Sequence, residues 1–229
     1  MKDIDENWVA KEARRCLLCD NAPCSCGCPA GVDPKRFIRK IRFGNMKGAV
    51  RELRRANVLA GCCSYICPCL NTCMGKCTSE KLDEPIDIIR LQRYVCEWER
   101  VNGMVEPEAA GGKGSKVAII GSGPAGLACS AELAVRGHVP VVFDSAMEPG
   151  GMLRQVIPDF RLPRHVLDFD IDFIRKLGVT FELEKMINEP SKLLGEFKAV
   201  FISTGMPVPK GAGLNGEDKK GVLQALDFL

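Results

Sequence analysis

Eleven of the thirteen cysteines of this 229-residue chain lie between Cys16 and Cys77. Thiols at that density are either oxidised to disulfides or held by metal, and the compartment decides which. The first residues, MKDIDENWVAKEARRC, carry charges of both signs and no apolar stretch, so they do not read as a secretory signal. No run of eighteen apolar residues occurs, so no membrane-spanning helix is expected. A cytoplasmic location and reduced, metal-binding thiols are therefore the expectation.

The spacing narrows the metal. One group runs Cys16-Leu-Leu-Cys19-Asp-Asn-Ala-Pro-Cys24-Ser-Cys26-Gly-Cys28-Pro29. The other runs Cys62-Cys63-Ser-Tyr-Ile-Cys67-Pro68-Cys69-Leu-Asn-Thr-Cys73-Met-Gly-Lys-Cys77. A Cys-x-x-Cys turn brings two sulfurs to one side, and Cys69, Cys73 and Cys77, four apart, would share one face of a helix. Thiolates suit zinc or iron–sulfur groups equally. Structural zinc normally uses two well-separated Cys-x-x-Cys pairs, whereas only Cys16–Cys19 has that form here. Cysteine followed by proline, at Cys28-Pro29 and Cys67-Pro68, is common in ferredoxin-like loops. Spacing favours iron–sulfur over zinc without removing zinc. Cys26, Cys62, Cys63, Cys69, Cys96 and Cys129 read as surplus, explicable as buried free thiols.

Three segments follow from the pattern. Residues 1–102 hold nearly all the cysteines and read as helical between them. Asp33-Pro34 has the form of a helix start, with Asp33 as N-cap and Pro34 in the first turn. Beyond it Phe37, Ile38, Ile41, Val50 and Leu53 recur at helical spacing, broken near Gly44. A further helix is expected over IDIIRLQRYVCEWERV. Residues 103–115, GMVEPEAAGGKGS, are Gly-rich and aperiodic and read as a linker. Residues 116–229 alternate strand and helix: KVAII, PAGLACSAELAVRG, VPVVFD, PRHVLDFDIDFIRKLG, VTFELE, KAVFIST. That alternation implies a parallel α/β sheet of Rossmann type.

The fingerprint Gly121-Ser122-Gly123-Pro124-Ala125-Gly126 stands between the first strand and the first helix of that segment. Asp144 ends the next strand. An isolated G-x-G-x-x-G is weak evidence, but strand, helix and acid together are the context a dinucleotide requires. Gly121 allows the tight turn, Gly123 the approach of a pyrophosphate, and Gly126 the packing of helix on strand, while Asp144 would accept from a ribose. Only one such fingerprint is present. FAD and NAD are not separated by it.

Charge is concentrated in one place. The net charge of +3 is too small to argue for nucleic acid, and no reader motif is present. Residues 34–56, however, carry Lys35, Arg36, Arg39, Lys40, Arg42, Lys47, Arg51, Arg54 and Arg55 against the single acid Glu52. The plain reading is a solvated helix face. The functional one is a docking surface for an acidic electron-transfer partner. His138 and His165 read as structural, and no catalytic side chain is expected.

The segments ARRCLLCDNAPCSCGCP, CCSYICPCLNTCMGKC and EPIDIIRLQRY resemble the N-terminal domain of the glutamate synthase small-subunit family of iron–sulfur flavoproteins, in the form shared by dihydropyrimidine dehydrogenase. The resemblance runs from about Ala13 to Leu229. It implies two [4Fe–4S] groups with interleaved ligands: Cys16, Cys19, Cys24 and Cys77 for one, and Cys28, Cys67, Cys73 and the side chain of Gln92 for the other. Cys69 and Cys26 stay open as competing ligands. SAMEPGGML and VIPDFRLPR resemble flavin-lining segments of the same family, which implies FAD, with Gly151, Met152 and Arg161 at the flavin, Ile187 near adenine and Gly205 where the chain leaves the FAD unit. Family members continue into a second nucleotide fold for NAD(P)H. That fold is absent from this sequence, so the chain reads as the front portion of such an enzyme. The implied function is electron transfer between FAD and the two [4Fe–4S] groups, serving a redox partner subunit or ferredoxin, with NAD(P)H as hydride donor in the complete protein. The alternative is a non-catalytic scaffold stabilised by zinc or by iron–sulfur groups.

Overall fold

In a computed structural model, residues 5–107, 111–206 and 208–229 are described. The chain divides into two compact units, one reaching to Pro107 and one beginning at residue 108.

The first unit is helical. α1 spans Glu6–Arg15, with the Asp5 carboxylate accepting from the Trp8 amide at 2.7 Å. α2 is a single turn, Pro23–Cys26. α3 covers Pro34–Arg42, capped by the Asp33 carboxylate on the Arg36 amide, with Pro34 in its first turn as the sequence predicts. The chain then turns at Gly44, whose φ of +69° lies in the left-handed region. α4, Met46–Ala56, starts under an Asn45 cap. α5 is Ala60–Ile66, and α6 is Ile88–Asn102, capped by Asp87. Phe37, Ile38, Ile41, Val50 and Leu53, the residues picked out by helical spacing, are all buried in one core. Ile86, Ile88, Leu91 and Val95 complete it from the α6 side.

Between α5 and α6 the structure departs from expectation. Residues 69–81 form no α-helix but three short 3-10 turns, Cys69–Asn71, Met74–Lys76 and Thr78–Lys81. Two features account for this. Pro68 has no N–H to extend a helix, and Gly75 packs so closely that a Cβ would stand 2.0 Å from the Leu70 carbonyl oxygen. Cys69, Cys73 and Cys77 therefore do not share one helix face.

A buried ion pair ties α4 to α6. Arg54 and Glu99 are 5% and 0% exposed, and Glu99 Oε2 takes Arg54 Nε at 3.0 Å and Nη2 at 2.9 Å. Arg54 Nη1 also donates to the Val58 carbonyl at 2.7 Å, and the Val105 amide donates to Glu99 Oε1. Val105 is buried in this unit's core, so the Gly-rich segment begins with residues packed against the helices.

The second unit is an open parallel sheet. β1 is Lys116–Ile120, α7 Pro124–Val135, β2 Val139–Phe143, α8 Met152–Gln155, α9 Arg164–Lys176, β3 Thr180–Glu182 and β4 Ala199–Ile202; a terminal turn, α10, covers Ala225–Phe228. The strand order is β3-β2-β1-β4, with every neighbouring pair parallel. VTFELE is strand over three residues only, shorter than its apolar pattern suggests. Ala118 and Ile119 of the central strand are fully buried, as are Leu127, Leu167 and Ile174 of the covering helices. Phe143 and Phe197 meet edge to face at 5.7 Å. The chain builds outward from β1 to β3 and then returns to place β4 on the other flank of β1. Such a reversal opens a crevice at the carboxyl ends of β1 and β4, where α/β sheets bind ligands.

Candidate functional site

The first thiol group assembles from the two ends of the helical unit. α1 stops at Cys16, which is extended, and Leu18 and Ala22 take positive φ to turn the chain back. Cys16, Cys19 and Cys24 from this loop, together with Cys77 from 61 positions beyond Cys16, line one cavity. Leu17, Lys35 and Ile86 also line it, with Thr78 and Ser79 next to Cys77. Burial pushes the Cys16 and Cys24 thiols up, and the nearness of Cys77 adds to both. The Ile86 amide points its hydrogen at Cys77 Sγ, 3.5 Å away.

A polar strap holds the two ends of the loop together. The buried Glu12 carboxylate takes Arg15 Nη1 at 2.9 Å on each oxygen and the Asp87 amide at 2.8 Å. Arg15 Nη2 continues to the Glu84 carbonyl at 2.7 Å and the Asp83 carboxylate at 3.2 Å. The residue before Cys16 is thus clamped to the segment following Cys77.

The second group gathers around Cys73. Burial pushes its thiol up to about 11; a hydrogen bond from Thr72 opposes that, and Cys67, Cys28 and Cys69 add to the rise. Cys69 is raised by burial and by Cys67. Cys28, Cys67 and Cys69 thus each bear electrostatically on Cys73. Gln92 is buried on α6, and its Nε2 donates to the Ala60 carbonyl of α5 at 2.8 Å.

The cysteines range from buried to exposed. Cys62 and Cys96 are buried as expected of surplus thiols, while Cys26 is exposed. Cys26 ends the short α2. Among the described residues, no three His, Cys, Asp or Glu side chains stand close enough to hold a single ion. Zinc at about 2.3 Å from each sulfur would need them within about 4 Å of one another.

The Gly-rich loop sits at the end of β1, over the crevice. Gly121 has φ +104°, and a Cβ there would meet the Ser203 carbonyl oxygen at 2.3 Å. A Cβ on Gly126 would stand 1.9 Å from the Gly121 carbonyl oxygen, so only glycine lets α7 rest on the loop. A Cβ on Gly123 would meet nothing, which leaves open space over the helix N-terminus. Asp144 organises the loop from β2: one oxygen takes the Ser122 amide and hydroxyl, the other the Ala146 amide. Pro124 and Ala125 are exposed at the start of α7. The Gly150-Gly151 turn closes against the loop, with the Gly150 amide on the Ser122 carbonyl at 3.0 Å and Gly151 beside Gly123. Met152 opens α8 immediately after it. Ile187 packs beside Phe143 and Phe197, Gly205 turns with φ +71° beyond β4, and Arg161 lies exposed before α9. The contacts among Ser122, Asp144 and Gly150 are what sequence reasoning missed. A hydroxyl at the second position of the fingerprint, facing an acid on the next strand, was the available signal.

Thiol-rich loops in a helical unit and a Gly-rich loop at the crevice of a parallel sheet are the features that two family models match. Residues 1–104 match the family described as dihydropyrimidine dehydrogenase domain II, 4Fe-4S cluster, and residues 119–189 match the NAD(P)-binding Rossmann-like domain. The chain is thus similar, across nearly its whole length, to subunits of NAD(P)-dependent oxidoreductases, with a 4Fe-4S domain match followed by a Rossmann-like one. It is 43% identical over 222 residues to the NAD-dependent dihydropyrimidine dehydrogenase subunit PreT of Escherichia coli K12, covering 96% of this chain and 53% of that one. It is 33% identical to the NADP(+)-dependent formate dehydrogenase subunit beta of Moorella thermoacetica, over 91% of this chain and 33% of that one. It is 34% identical to the NADPH-Fe(3+) oxidoreductase subunit beta of Geobacter sulfurreducens, over 91% of this chain and 32% of that one. The chain thus spans about half or less of the length of these relatives. The solved structure of 6-hydroxypseudooxynicotine amine oxidase from Pseudomonas geniculata covers 79% of this chain and 26% of its own at 20% identity, with a TM-score of 0.39, too low to indicate a shared overall fold.

Proposed function

We propose that this chain is the electron-transfer front portion of an NAD(P)H-dependent iron–sulfur flavoprotein, holding two [4Fe–4S] groups and FAD. The observation that carries the reading is the cavity whose wall includes Cys16, Cys19, Cys24 and Cys77, thiols far apart in sequence and held together by the Glu12–Arg15 strap. These four are the proposed ligands of one group. Cys28, Cys67 and Cys73 hold the other, with Gln92 in the fourth position and Cys69 as the alternative there.

In the second unit, the open space over Gly123 and the free amides that begin α7 would take a pyrophosphate, and Asp144 would accept from a ribose. Gly151, Met152 and Arg161 lie on the segments assigned to the flavin, Ile187 to adenine, and Gly205 to the exit from the unit. The closure of Gly150-Gly151 on the phosphate loop supports FAD here. When bound, the flavin would exchange a hydride with NAD(P)H for single electrons, and the iron–sulfur groups would pass these to a redox partner subunit or ferredoxin. The chain's own residues supply position, N–H hydrogen bonds to sulfur and exclusion of water, and no side chain need move a proton. The described residues include no helix long and apolar enough to cross a membrane, and we place the protein in the cytoplasm.

The test is anaerobic purification followed by iron, sulfide, zinc and flavin analysis with an absorption spectrum. Two [4Fe–4S] groups require about eight iron and eight sulfide per chain and a broad visible band that dithionite bleaches. Zinc without sulfide would overturn the reading and leave a structural metal scaffold.

A further inference from the structure

α3 carries five cations, and the structure sorts them into two kinds. Arg36 pairs with Asp33 and Glu52, and Lys40 with Glu52 at 3.0 Å. Lys35, Arg39 and Arg42 have no carboxylate partner among the described residues; Lys35 donates to the Asp20 carbonyl at 3.0 Å and Arg42 to the Cys16 carbonyl at 3.2 Å. These three recur at i, i+4 and i+7 and so form one stripe along the helix. The stripe runs beside the first thiol cavity: Lys35 is part of its wall, and Arg42 holds the backbone of Cys16. Leu17, 48% exposed, forms an apolar lip of the same cavity. An apolar centre rimmed by unneutralised charge is the anatomy of a transient interface. α4 carries its own exposed cations, Lys47, Arg51 and Arg55, but none of them lines the cavity. Arg54, which the sequence groups with them, is buried on Glu99 and belongs to no surface.

We propose that the Lys35–Arg39–Arg42 stripe and Leu17 form the docking face for an acidic redox protein, and that electrons cross at the Cys16/Cys19/Cys24/Cys77 group. The inference rests on the function proposed above and adds the exit point and the sign of the partner's charge. The step is a one-electron exchange: the group at the cavity loses or gains one electron, the partner's centre does the opposite, and no bond or proton moves. Opposite charge accelerates such encounters and makes them salt-dependent.

The probe is an acidic plant-type [2Fe–2S] ferredoxin, reduced and then mixed anaerobically with the oxidised chain. Its reoxidation is followed by its own visible band at rising salt. Among the described residues Arg39 makes no hydrogen bond or ion pair with another side chain, so Arg39→Glu tests charge without touching a proposed ligand. Reversal of one steering charge should slow the reaction about fivefold at low salt, and the difference should vanish at high salt. Arg51→Glu, on α4, should change the rate by less than about twofold. Reduction of either variant by dithionite should match the unaltered chain. Equal effects of Arg39→Glu and Arg51→Glu, or none from Arg39→Glu, would overturn the docking face while leaving the function intact. A chain lacking iron and sulfide would overturn both together.

Discussion

The two units of this chain reach stability by different routes. In the sheet unit the interior is aliphatic and aromatic: Ala118, Ile119, Leu127, Leu167 and Ile174 are buried without help from any ligand. In the helical unit Cys16, Cys24, Cys28, Cys69 and Cys77 pack against the core, and Cys73 lies within it. Burial raises the Cys16, Cys24 and Cys73 thiols, which as proposed ligands would be held as thiolates by the bound group. Both units bury an aliphatic core, but in the helical unit the proposed ligands pack against it, so the bound group would contribute to that unit's stability.

That contrast sets the order of expected effects. The largest is metal removal. Chelation under reducing conditions should unfold the helical unit and leave the sheet unit resistant, so limited proteolysis should yield a protected fragment beginning near residue 111. Equal digestion of both halves would break the comparison. Next is Arg54→Ala, which leaves the Glu99 carboxylate buried and unpaired; it should cost the helical unit about 3–5 kcal/mol in denaturant titration of the metal-loaded chain. Gly126→Ala in the other unit forces α7 off the loop and should cost about 1–3 kcal/mol there, together with flavin retention. Asp144→Asn should weaken flavin binding, read by equilibrium dialysis, and leave the iron content unchanged. The smallest is Asp5→Ala, which removes the cap of α1 and should cost about 1 kcal/mol.

Legibility divides along the same line. The strands KVAII and VPVVF, the Gly loop and Asp144 could be placed from period and motif because each obeys a local rule. Asp33 and Pro34 announced α3 for the same reason. The segment from Cys67 to Cys77 could not be placed that way. Its i, i+4 cysteines have helical spacing, yet Pro68 and the tight seat of Gly75 impose 3-10 turns, so Cys73 and Cys77 do not share a helix face. The buried Arg54–Glu99 pair was likewise invisible, because a cation among eight others in residues 34–56 looks like surface. Long-range partners, 45 positions apart in this pair, are set by packing and not by local pattern.

The strap between Arg15 and Glu84 has a consequence in time. Cys16, Cys19 and Cys24 leave the ribosome long before Cys77, which lies 53 positions beyond Cys24. At roughly 5–20 residues per second that interval is about 3–11 s. With the proposed ligand set, three thiols wait exposed for their fourth throughout synthesis of α3, α4 and α5. Cofactor insertion is then a late event, and oxygen or stray zinc has its best opportunity at the nascent chain.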